Sequence, residues 1–182
     1  MKIKKIVLIC GLIIILISLS IFIFLNIKVN RNINKNEIVI NTFNNIFKDK
    51  ILEVHENFDL PKLQIEDTDY IGIINISKYD ILIPVESKCN NTFLNIQSSC
   101  NYKDKSFVIL GTNLKDSFSS YETFDVDDEI IFTNMLGRKF QYKIKKIKRI
   151  NSLDLSQYDE ELIIVIKNYY SMEYILFICD SY

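Results

Sequence analysis

The sequence contains no alanine and no tryptophan, and only one histidine, two prolines and four glycines in 182 residues. So little proline and glycine excludes a collagen-like repeat, and the high apolar content excludes a disordered, low-complexity chain. There is no Cys-x-x-Cys pair and no Cys/His cluster, and His55 stands alone. No metal site and no cofactor is expected from such a set. An excess of charge of one sign is also missing: the net charge is −1, which argues against nucleic acid as a partner. What is abundant is isoleucine, 34 residues, and asparagine, 18 residues. Both, like lysine, have AT-rich codons, so the bias reads first as a property of the genome.

The even net charge hides an asymmetry. Lys2, Lys4 and Lys5 precede an uncharged run, residues 6–25. Twenty helical residues span roughly 30 Å, the hydrocarbon thickness of a bilayer. The run is long for a cleaved signal, ends in bulky Ile21–Leu25, and is followed by no small-residue cleavage site. It reads as a retained membrane anchor, so the bilayer is an expected partner through residues 6–25. Basic residues flank both sides, and the balance favours the N-terminus inside with the following domain outside. Beyond residue 28 there remain 18 basic and 23 acidic residues, a mildly acidic domain large enough for a core of its own. The expected division is 1–28 as cytoplasmic tip and anchor, 29–69 as a linker with an amphipathic helix, and 70–182 as a β domain.

The helical period appears in Val39, Phe43, Ile46, Phe47, Ile51, Val54 and Phe58, which predicts an amphipathic helix over about 35–58, ended by Pro61. From Tyr70 the pattern becomes short β-branched runs. Strands are predicted at 70–76, 79–85, 106–112, 128–134, 139–150, 161–168 and 173–180, with a hairpin turn at Met135-Leu136-Gly137. About seven short strands with few helices imply a mainly β fold, a barrel or sandwich. The lysines of 139–150 read as a solvated face. Cys10 falls in the anchor. Cys89 and Cys100 flank a polar stretch and are either a disulfide or two thiols. The sequence leaves the oligomeric state open.

In this order and spacing the strands resemble the sortase family, membrane-anchored cysteine transpeptidases of Gram-positive surfaces. The Tyr70–Ile76 run followed by Ile81-Leu82-Ile83-Pro84-Val85 is similar to the family's opening strands. Phe107–Gly111-Thr112-Asn113 resembles the strand bearing Gly-His-Asn, and Asp127-Asp128-Glu129-Ile130 resembles Gly-Asp-Glu-Ile. Tyr174–Cys179 resembles the Leu-Thr-Leu-x-Thr-Cys strand of the nucleophile.

The resemblance implies a sortase-like β-barrel preceded by a transmembrane helix and an amphipathic helix, with sorting-signal peptides of surface proteins as partner. It implies Cys179 at the nucleophile position and Thr112 where the family has histidine. The family's arginine lies on the strand after the cysteine, and the sequence runs only three residues past Cys179, so that strand is expected to be missing. A threonine hydroxyl is too weak an acid to replace imidazolium, so activity is expected to be weak or absent. The alternatives are a non-catalytic peptide-binding module and a structural membrane-anchored β domain. His55 is the one candidate replacement acid. With no strand after it, 173–180 is expected to leave an uncovered sheet edge.

Overall fold

Among the described residues, Ile- and Phe-rich runs at two different periods give one long helix and nine strands. The computed structural model describes residues 2–47, 61–87, 98–102 and 106–182. Helix α1 is Lys2–Phe47, 46 residues without a break. The strands are β1 (Leu63–Ile65), β2 (Thr68–Ile76), β3 (Ile81–Glu86), β4 (Ser98–Tyr102), β5 (Ser106–Thr112), β6 (Glu129–Asn134), β7 (Lys139–Ile150), β8 (Leu162–Lys167) and β9 (Tyr174–Ser181). Two short 3-10 helices, Ser77–Tyr79 and Tyr121–Thr123, complete the set.

The strands form one sheet in the order β1-β2-β3-β4-β5-β8-β9-β7-β6. Strand β2 also pairs with β6, so the order turns back on itself and the sheet curls into a barrel. Its thinnest seam is β3–β4, a single registered pair, Glu86 with Ser98. The expected mainly β barrel forms, with β1 and β4 added to the seven predicted strands. Neither addition has a legible pattern: β1 is three residues, and β4 reads Ser-Ser-Cys-Asn-Tyr.

Strand β8 has no alternation because both of its faces are covered. On the inside, Leu162, Ile164 and Ile166 pack with Phe107 and Ile109 of β5 and with Ile175, Phe177 and Cys179 of β9. On the outside, Ile163 and Val165 pack with Val108, Leu176 and Ile178 beneath Leu155 and Tyr158 of the β7–β8 connection.

The uncovered edge predicted for 173–180 does not exist. Strand β9 is registered with β7 from Tyr142↔Ser181 to Ile150↔Tyr174 and with β8 from Leu162↔Cys179 to Lys167↔Tyr174. The physical reason is topological. Strand β8 leaves its neighbour in sequence, β7, and lies parallel to β5, which opens the slot that β9 fills. The hairpin turn at 135–137 does form. Gly137 takes φ 80°, and Asn134 Oδ1 accepts from the Leu136 and Arg138 amides.

Helix α1 carries two faces in succession. The side chains of residues 6–10 and 12–25 are exposed, and the helix is long and apolar enough to cross a membrane. Further along, Val39 and Phe43 are buried against Tyr70, Ile73 and Met135. Lys35 Nζ donates to Thr68 Oγ1 at 2.7 Å and lies 3.9 Å from Glu86. Asparagines at 30, 32, 34 and 36 are poor helix formers. Tertiary bonds compensate: Asn32 Nδ2 donates to Asp116 Oδ2 at 2.8 Å, and Asn36 Nδ2 to the Asp116 carbonyl at 3.2 Å. Residues 48–58 of the predicted amphipathic helix, with His55, lie outside the described residues, as does Cys89.

Candidate functional site at the ends of β5 and β8

Strands β5 and β8 run parallel and end together, with Thr112 beside Lys167. Across β8, Lys167 is in register with Tyr174, the first residue of β9. Thr112, Lys167 and Tyr174 therefore form one row across three adjacent strands, on the face opposite the barrel interior. Lys167 Nζ donates to Tyr174 Oη at 3.4 Å and sits 5.0 Å from that ring's centroid. Thr112 is buried, and its Oγ1 accepts from the Leu114 amide at 3.3 Å.

Just past the row lies a cluster of amides and hydroxyls. Asn113 Nδ2 donates to Asn168 Oδ1 at 3.2 Å, and Asn168 Nδ2 donates to Tyr121 Oη at 2.8 Å. Asn168 Oδ1 also accepts from the Tyr170 and Ser171 amides, which shapes the β8–β9 turn, and Asn113 Oδ1 accepts from the Tyr169 amide. Met172 completes that turn at φ 61°, the left-handed region a side chain seldom occupies. Gly111, beside Thr112, has no room for a side chain: a Cβ there would run into the Phe118 ring. Burial raises the Tyr121 phenol above its ordinary value, with Glu122 adding to the effect. Burial also raises Tyr169, helped by Asp116.

Cys179 is elsewhere. It lies on β9 in register with Leu162, and Thr112 lies beside Lys167, five residues further along β8. At about 3.3 Å per residue the two predicted site residues are roughly 16 Å apart along the strands. They also face differently. Cys179 points into the barrel core with no exposed surface, and its nearest partner is the Phe177 carbonyl, 3.6 Å from Sγ. Burial pushes its thiol well above the ordinary value, and Asp180 pushes it further. The structure thus does not bring Cys179 and Thr112 together. Cys10 is exposed on α1, and the backbone of Cys100 lies on β4.

Sequence reasoning missed Lys167, Asn168 and Tyr174. An asparagine directly after a strand is a turn signal that could have marked Asn168. The row itself depends on a parallel pairing no local pattern reveals.

The sequence matches no family model and no curated protein. The fold does have relatives. Sortase C1 of Streptococcus agalactiae superposes with a TM-score of 0.56 at 16% identity, over 80% of this chain and 89% of that one. A Clostridium perfringens sortase D5 transpeptidase gives 0.52 at 20% identity, over 63% and 79%. A sortase C of the same organism gives 0.50 at 15% identity, over 84% and 86%. The chain has the sortase fold. The resemblance read from the sequence is thereby supported at the level of architecture.

Proposed function

We propose that this chain is a membrane-anchored member of the sortase family, on the outer membrane face of a Gram-positive cell, that engages sorting-signal peptides without acylating on them. The observation that carries this reading is the row Thr112–Lys167–Tyr174. In the family, histidine, cysteine and arginine converge from three strands, and the equivalent convergence here offers a hydroxyl, an ammonium and a phenol. Among the described side chains no thiol lies at that row. Cys179 supplies none, because a buried thiol raised above its ordinary value is neither thiolate nor accessible. General acid–base help is worth about 10²–10⁴ in rate and one oxyanion donor about 10²–10³, so a site without these groups loses most transpeptidation.

The test uses the full chain in nanodiscs with a panel of sorting-signal peptides. Intact mass should show no covalent adduct, while calorimetry should show saturable binding of at least one peptide. A thioester that disappears in Cys179→Ala would overturn the non-acylating reading. Absence of binding to every peptide would favour a purely structural β domain.

A further inference from the structure

The sortase fold leaves the height of the barrel above the bilayer open, and in this chain α1 fixes it. The helix runs without interruption from the apolar span into the barrel contact. The first barrel loop it meets is the one after β5, held through Asn32 and Asn36 to Asp116. Asn32 is seven residues beyond Leu25, about 10 Å along a helix. The interfacial layer on each side of the hydrocarbon is roughly 5–8 Å deep. The loop at Asp116 is thus held at the outer edge of the headgroups.

The β8–β9 turn packs against that same loop through the Tyr169 amide on Asn113, and Asp116 acts electrostatically on Tyr169. Its tip carries the two most exposed large apolar side chains of the described barrel: Tyr170 at 87% and Met172 at 64%. Arg31 and Lys115 are exposed on the neighbouring helix turn and loop, and Lys28 acts on Asp116. An amphipathic aromatic, a flexible apolar side chain and several cations at one end of a domain suit a lipid–water interface.

We infer that the β8–β9 turn, through Tyr170 and Met172, docks into the headgroup layer of the bilayer that α1 crosses, so that the Thr112–Lys167–Tyr174 row faces the membrane. The inference rests on the reading of α1 as an anchor. A second copy of the chain is the other conceivable cover, and the continuity of α1 with the span favours lipid.

The absence of tryptophan supplies the experiment. Tyr170→Trp places a single reporter at the turn, and Tyr182→Trp places one at the opposite end, where Lys143 lies 4.3 Å from the ring centroid. Each full-length variant is reconstituted into phosphatidylcholine/phosphatidylglycerol vesicles at a high lipid-to-protein ratio. Lipids carrying a nitroxide close to the headgroup serve as quencher. The Tyr170→Trp reporter should lose most of its emission, and the Tyr182→Trp reporter should be unaffected. Retention of the chain after alkaline washing, with the Tyr170→Trp reporter unquenched, overturns the docking alone. Release of the chain by alkali overturns the anchor and the docking together. A blue-shifted Tyr170→Trp emission that persists without lipid quenching assigns the turn to a protein contact and overturns it as well.

Discussion

At the scale of single residues, Cys179 and Asp116 are both held in low-dielectric surroundings, with opposite consequences for reading the molecule. Cys179 sits among Phe177, Ile144 and Leu162, so its role is that of a small apolar residue. Alkylation of the native protein in detergent should leave Cys179 unmodified and modify it on unfolding, as peptide mapping would show. Cys179→Ala should cost about 1 kcal/mol of stability, like other small deletions from a packed core. Rapid alkylation of Cys179 in the native state would contradict its placement. Burial lifts the Asp116 carboxyl above its ordinary 3.8, against the hydrogen bond from Asn32 and the charge of Lys28. The folded state therefore keeps that proton to higher pH than the unfolded chain. Its contribution to stability is complete below the unfolded value and is lost as pH rises through the raised folded value. Asp116→Asn does not titrate, so its melting temperature should gain on that of the native protein as pH increases through this window, then level off. A difference independent of pH would place Asp116 in contact with water.

At the scale of elements, the connection between β7 and β8 matters most for a peptide partner. Leu155 and Tyr158 cover the outer face of β5, β8 and β9, and Lys148 Nζ donates to Tyr158 Oη at 3.3 Å with its charge 4.5 Å from the ring centroid. The face that adjoins the Thr112 row is thus already filled by the chain's own side chains. Leu155→Ala with Tyr158→Ala should cost several kcal/mol, since each deletion of a buried large side chain costs about 2–5. It should also raise binding of an apolar dye and tighten binding of any peptide that uses this face. Destabilisation with no gain in either binding would make the connection simple core covering. Little of this was legible in the sequence, because Leu155 and Tyr158 stand apart in a polar stretch with no period. Strands were legible where a strong β-branched run declared them, as in Ser106–Thr112 and Lys139–Ile150. Tyr174–Cys179 was legible as a strand, but not the partners on either side of it. Those neighbours are set by which strands pair, and that is a property of the whole sheet.

At the scale of the whole molecule, the decisive relation is the parallel pairing of β5 with β8, which joins residues 55 positions apart in sequence, Thr112 and Lys167. If the row of Thr112, Lys167 and Tyr174 is the geometric equivalent of the family's three catalytic groups, chemistry should be restorable there and nowhere else. Thr112→His, Lys167→Cys and Tyr174→Arg together place an acid, a thiol and a cation on three strands in one row. The new thiol would lie between an imidazolium and a guanidinium, which lowers its pKa and supplies thiolate. With a sorting-signal peptide, the triple variant should form a thioester visible as a mass increase equal to the acyl portion of the peptide. Lys167→Cys alone should acylate more slowly, because it lacks general acid–base help worth about 10²–10⁴ and an oxyanion donor worth about 10²–10³. Thr112→His and Tyr174→Arg without Lys167→Cys should form no adduct, because Cys179 stays five residues away inside the core. Circular dichroism and a melting curve for each variant separate loss of fold from loss of chemistry. A folded triple variant that binds the peptide and never acylates would break the equivalence of the row with a sortase site. An adduct on Cys179 in any of these variants would return the nucleophile to β9.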